Sequence, residues 1–269
     1  ISGFPEFISS VLGEIPRLDE IPTIIRHIDD EASNSDYSFP KDDLVNKDAL
    51  QLFTVDMNSL GSGTTIQSND TSSTITTTQI LVPDFSSNID GYTSFQGIPD
   101  VDSSSLDPLR ELVMNFPEIR KIGEDIFCVA CWTSNKINSS TQVRTEIVWA
   151  VLTYNESGVN AGWSLFQTGR IADSGGVKSY WMPSINIDNN GFMSVLFSGS
   201  SNSHPPSLYF TRKRLSDTEF PEPIQVTSGI GGVSTTRWGD YFSLVSAESA
   251  KSLKLILNTL CSAASYFLE

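Results

Sequence analysis

Histidine, cysteine and basic residues are all scarce in this chain. Only two histidines, His27 and His204, and three cysteines occur in 269 residues, so a zinc site would need an unusual ligand set, and none is spaced for it. No motif implies a cofactor. Seventeen Lys and Arg face 32 Asp and Glu, for a formal net charge of −15. A chain this acidic repels nucleic-acid phosphates and anionic lipid, which excludes binding to either. No apolar run approaches the roughly 20 residues of a membrane-spanning helix, so no span is expected. Cys128 and Cys131 have C-x-x-C spacing but fall in Ile126 to Trp132, a run that reads as a strand. Residues three apart on a strand point to opposite faces, so the pair is expected to be two buried, inert thiols. The first residue is Ile1, which suggests that a leading segment is gone, and no signal peptide is visible to place the chain.

What the sequence does contain is a segment that occurs twice. Phe116-Pro117-Glu118-Ile119, a glycine turn and Ile126-Phe127-Cys128-Val129-Ala130-Cys131 are answered by Met182-Pro183-Ser184-Ile185, another glycine turn and Phe192-Met193-Ser194-Val195-Leu196-Phe197. Ile147 to Val151 then corresponds to Ser207 to Thr211, and Leu165 to Ile171 to Ile224 to Ile230. Four short β-type runs recurring over roughly 40 to 65 residues are the signature of a β-propeller blade. The expected fold is therefore all-β, a propeller of four-stranded antiparallel blades, with residues 116–171 and 182–230 as complete units. Asp188-Asn189-Asn190-Gly191 supplies the residues a tight hairpin turn requires, and Asp188 reads as a turn former.

The flanks are read differently. Residues 1–45 are expected to be an N-terminal extension, with Ile15-Pro16 and Ile21-Pro22 limiting it to short helices around Phe7 to Leu12 and Thr23 to Ile28. Residues 46–246 are the propeller, opening with strands at Leu50 to Asp56 and Ile75 to Val82 that form a partial blade. The long loop Asp84 to Asp107 is an insertion; Asp100, Asp102 and Asp107 within it suit a solvated acidic loop better than a calcium site. In 247–269, Leu253, Ile256, Leu257, Leu260, Ala264 and Phe267 recur at spacings of three and four, which predicts an amphipathic helix. Either the N-terminal extension supplies hidden strands, or the chain is part of a longer propeller.

The succession Tyr180-Trp181-Met182-Pro183-Ser184-Ile185, Phe197-Ser198-Gly199-Ser200-Ser201, Pro206-Ser207-Leu208-Tyr209-Phe210-Thr211-Arg212 and Arg237-Trp238-Gly239-Asp240-Tyr241 resembles secreted sialidase-like β-propellers, a family mostly uncharacterised. The resemblance covers residues 110 to 245 well and residues 46 to 110 loosely. It implies an arginine cluster, for which Arg120, Arg170, Arg212 and Arg237 are candidates, and catalytic groups at Tyr241 and Asp240. The Ser-x-Asp-x-Gly-x-x-Trp turn typical of sialidases is absent, and the chain departs from the family after Tyr241. Two carboxylates such as Asp240 and Glu118 would be the minimum for an ordinary glycosidase.

Trp181, Arg212, Arg237, Trp238, Asp240 and Tyr241 are the candidate ligand-binding residues, since rings and guanidinium groups beside a carboxylate suit a sugar or peptide. The competing reading packs the tryptophans between blades and uses Arg237 and Asp240 to tie neighbours together. Three N-x-S/T sequons, at Asn69, Asn138 and Asn155, fall in polar loops and imply a secreted glycoprotein. The expectation is a non-catalytic extracellular structural or recognition module, with protein subunits or glycans as partners and homo- or hetero-assembly, such as a filament, within its reach. A sialidase-like glycoside hydrolase is the alternative.

Overall fold

The computed structural model describes residues 6–7, 23–30, 47–55, 75–87, 89, 97–102, 105–108, 117–135, 144–155, 161–233, 238, 241–246, 253–259 and 262–268. Among these residues there is no helix, and all strand pairs are antiparallel. The first sheet runs β1 (Glu6–Phe7), β2 (Thr23–Ile28), β3 (Ala49–Val55), β4 (Ile75–Leu81). A two-stranded ribbon, β5 (Ile98–Pro99) and β6 (Ser105–Leu106), lies in the insertion. The second sheet comprises β7 (Glu118–Ile122), β8 (Asp125–Asn135), β9 (Thr145–Asn155) and β10 (Gly162–Ile171). The third comprises β11 (Ser179–Ile187), β12 (Phe192–Ser201), β13 (His204–Arg214) and β14 (Ile224–Thr227). The fourth has β15 (Tyr241–Ser246), β16 (Leu253–Thr259) and β17 (Ser262–Leu268). The two repeat units are thus the second and third sheets, each a meander of four strands in chain order.

The expected helices are corrected at both ends. Thr23–Ile28 is a strand paired with β3, so two strands from residues 1–45 complete the first sheet and the boundary at 45 does not separate units. Thr23, Ile24, Ile25 and Ile28 are β-branched, which disfavours a helix and suits a pleated surface. At the other end, Leu253–Thr259 and Ser262–Leu268 form a strand pair, and β16 joins β15 across residue 246. Leu253, Leu255 and Leu257 also alternate with a period of two. A short apolar run satisfies both periods, and pairing to a preformed edge decides between them. The Phe7 to Leu12 helix falls mostly outside the described residues.

The second sheet explains why the repeat reads so apolar. Cys128, Ala130, Trp132, Val148, Ala150 and Leu152 pack on the first sheet against Ile25, Leu50 and Leu52. The alternate residues Phe127, Val129, Cys131, Ile147, Trp149 and Val151 pack on the third sheet against Ile185, Ile187, Val195 and Phe197. A sheet covered on both faces needs apolar residues at consecutive positions, so its central strands lose the usual polar alternation. Leu196 and Leu208 turn the third sheet's other face toward Leu244 of the fourth. Successive sheets therefore stack face against face in chain order. Cys128 and Cys131 lie on opposite faces as expected, both buried, and burial pushes both thiols well up from their ordinary range.

Glycine is required where a ring lies on the backbone. A Cβ at Gly169 would sit 2.6 Å from the Trp149 ring, and one at Gly199 would sit 2.6 Å from Tyr209 and 2.9 Å from Tyr180.

Candidate functional site

The densest polar constellation in the described residues lies where the first strands of consecutive meanders meet. Glu118 and Arg120 are two apart on β7, on the face toward the third sheet, and both are buried. Their side chains form an ion pair. Asn186 of β11 donates from Nδ2 to the Glu118 carboxylate and, at 3.4 Å, to the carbonyl of Leu244 in β15. Arg120 Nε donates to the Ile187 carbonyl at 3.3 Å, and the Leu244 amide donates to Ser184 Oγ at 3.0 Å. Burial holds the Glu118 carboxyl up at about 7, against the pull of Arg120 and of its hydrogen bonds. Strands β7, β11 and β15 are thus laced by side chains instead of by a backbone ladder. Such a network can fix three sheets in register. It offers no open position to a substrate, because Glu118 and Asn186 are 5% and 2% exposed.

Among the described residues, the candidates Trp181, Arg212 and Trp238 are engaged within the chain itself. Trp181 is fully buried, packed with Met182 among Ile89, Ile98 and Leu106 of the insertion, and its ring lies 6.1 Å from that of half-buried Trp238. The insertion thus packs directly on Trp181. Arg212 is half-exposed and committed elsewhere: it pairs with Asp188 at 2.7 Å and lies 4.2 Å over the Phe192 ring. Tyr241 begins β15; Arg237 and Asp240 lie outside the described residues. The other arginines also diverge, since Arg120 pairs with Glu118 and Arg170 with Glu146.

Asp188 is a turn former. Its Oδ1 accepts the amides of Asn190 and Phe192, each at 2.9 Å, while Gly191 takes φ 74°. Asp100 is buried and accepts the Val233 amide at 2.7 Å, so the insertion is tied down instead of solvated. His204 Nδ1 lies 3.0 Å from both Ser201 Oγ and Ser203 Oγ, closing the β12–β13 hairpin. Asn155, at the end of β9, is exposed; Asn69 and Asn138 lie outside the described residues. The one convergence of three carboxylates among the described residues is Asp29, Asp30 and Asp48. Asp48 accepts backbone amides on both oxygens, and Asp29 accepts both the amide and the hydroxyl of Ser87.

Neither Asn186 nor Ser184 stood out in the sequence. Their only signal is a polar residue at alternate places in Ser184-Ile185-Asn186-Ile187, which a strand buried on both faces should not carry without a partner. No family model matches the chain, and no curated protein matches it either.

Proposed function

We propose that the chain is a non-catalytic β-propeller module of the sialidase-like kind, working at an extracellular surface as a structural or recognition element for protein subunits or glycans. The propeller reading is supported by face-to-face stacking in chain order and by the lacing of β7, β11 and β15, as blades around a common line would have. The observation that carries the non-catalytic reading is the commitment of Arg120, Arg170 and Arg212 to three different carboxylates. A sialoside carboxylate would need at least two such guanidinium groups converging on one point. Exposed Asn155 supports a glycosylated surface; its test is the intact mass of natively produced protein before and after glycosidase treatment.

The test of function is hydrolysis of aryl sialosides and a panel of aryl glycosides by the whole chain, alongside glycan-array binding and sedimentation. Binding or self-association without turnover is expected. Turnover that is abolished in Arg237→Ala while the melting temperature holds would install the glycoside hydrolase in its place.

A further inference from the structure

The turn between β11 and β12 contains Asn190-Gly191, the sole Asn-Gly pair in the 269 residues. Asn190 is exposed, and its side-chain amide makes no hydrogen bond among the described residues; only its backbone amide does. A backbone nitrogen that follows asparagine can attack the side-chain amide carbon and close a five-membered imide. Glycine hinders that approach least, because it has no Cβ. Gly191 also has φ 74°, which other residues rarely adopt. The turn therefore demands the residue that permits the reaction.

The same turn holds the reacting nitrogen still. The Gly191 amide donates to the Asp188 carbonyl at 3.0 Å, and the Gly191 carbonyl accepts the Leu215 amide at 2.7 Å. On either side, the Asn190 and Phe192 amides both donate to Asp188 Oδ1 at 2.9 Å. The Asp188 amide closes the hairpin on the Phe192 carbonyl at 2.9 Å. Gly191 is buried, and a Cβ there would lie 3.7 Å from Leu215 and 3.8 Å from Ile122 of β7. An amide so bonded and covered neither loses its proton to solvent nor swings toward Asn190 Cγ until the turn opens.

We propose that Asn190 is a self-modification site gated by the Asp188 turn. When the turn opens, the Gly191 nitrogen gives its proton to solvent base and bonds to Asn190 Cγ. The bond from Cγ to the side-chain nitrogen breaks, and ammonia leaves with a proton from water. Water then opens the imide at one of its two carbonyls. Opening at Cγ restores the peptide bond and leaves aspartate; opening at the former backbone carbonyl leaves isoaspartate. The sum is one water consumed and one ammonia released, with no oxidant or reductant.

Either product changes this end of the third sheet. Both add a carboxylate two residues from Asp188, whose Oδ2 already holds Arg212 at 2.7 Å. Isoaspartate also routes the main chain through the side-chain carbon, which lengthens the turn by one atom and takes its hydrogen bonds out of register. Asn202-Ser203, in the β12–β13 hairpin, is an internal comparison. Asn202 is equally exposed, but a serine side chain hinders the same attack.

Incubation of the intact chain in mildly alkaline buffer, folded and in urea, tests this. Peptide mapping by mass spectrometry follows conversion at Asn190 and Asn202, and isoaspartate is counted with its methyltransferase. In urea Asn190 should convert well ahead of Asn202, and folding should slow Asn190. Asp188→Ala, which strips the two amide bonds to Oδ1, should speed conversion in the folded chain by about five- to thirtyfold. Asp188→Asn, which keeps an oxygen for those amides, should stay near the parent rate. Equal rates at Asn190 in the folded and urea-treated parent, no lead over Asn202 in urea, or an unchanged rate in a folded Asp188→Ala would each overturn the proposal. The comparison of the parent with and without urea stands even if Asp188→Ala does not fold.

Discussion

The second sheet meets its two neighbours through different chemistry on its two faces. Toward the third sheet, buried charge is matched: Glu118 has Arg120 and Asn186, while Lys213 lies 4.3 Å over the Trp149 ring and 5.4 Å from Phe220, donating to Gln167 and to the Asp217 carbonyl. Toward the first sheet, Trp132 lies 6.2 Å from the ring of buried His27, and the nearby carboxylates are held by backbone amides. One face sets a buried carboxylate against a guanidinium, and the other sets buried carboxylates against backbone amides. Each face carries a carboxyl held up at about 7, Glu118 beside a guanidinium and Asp48 on backbone amides, because burial outweighs either kind of partner.

The largest test removes a ring from each face. Trp149→Ala should cost about 3 to 5 kcal/mol in urea unfolding, as core tryptophan truncations do, and more than Trp132→Ala, because it also strips Lys213 of its principal ring. That added loss is about 0.5 to 2 kcal/mol for a partly desolvated cation. Equal costs for the two variants would erase the contrast between the faces.

The next effect is electrostatic. Arg120→Met leaves the Glu118 carboxylate buried without its counter-charge, a change worth about 3 to 5 kcal/mol at pH 8. Burial already holds Glu118 up at about 7, and losing Arg120 removes the main influence lowering it. At pH 5 the carboxyl carries a proton, so the deficit should shrink. Melting curves at the two pH values check this; a deficit that did not change with pH would mean that the pair contributes shape and not charge.

These contrasts were only partly legible in the sequence. The repeat of Phe127-Cys128-Val129-Ala130-Cys131 in Met193-Ser194-Val195-Leu196-Phe197 marked two units of four antiparallel strands, which are the second and third sheets. The β1 and β2 pairing was hidden, since Pro16 and Pro22 speak only against helix and the partner strand of β2 begins only at Ala49. The β16 and β17 pair was misread because Leu253, Ile256 and Leu257 fit a helical period as well as Leu253, Leu255 and Leu257 fit a strand. The cover over Trp181 was illegible for another reason: Ile89, Ile98 and Leu106 are scattered apolar residues in a polar loop, and only the fold brings them together.

Close approach gives a smaller effect, at one glycine in each of the second and third sheets. Gly199→Ala would push a methyl into Tyr209 and Tyr180, both ring systems packed with Phe197 at 6.1 and 4.7 Å between centroids. Overpacking of this kind costs about 1 to 3 kcal/mol. Gly169→Ala meets Trp149 in the same way, so similar losses in thermal melts would mean that both meanders use a glycine to seat an aromatic. A loss at one site alone would confine the device to that sheet.

The smallest effect separates a turn clamp from a ligand residue at Arg212. Asp188 binds two amides through Oδ1 and the guanidinium through Oδ2. Asp188→Ala removes all three contacts and should cost about 1 to 2 kcal/mol, since exposed hydrogen bonds contribute modestly. Asp188→Asn keeps an oxygen for the amides and loses only the ion pair. With Arg212 half-exposed, that pair is worth about 0 to 1 kcal/mol, and less at high salt. Chemical denaturation of the two variants at low and high salt should therefore show a larger step for Ala, only the ion-pair part of which salt removes, and a small one for Asn that salt largely removes. If Asn cost as much as Ala, the Arg212 pair and not the turn would organise the β11–β12 hairpin, and Arg212 would return as the residue around which that end of the sheet is built.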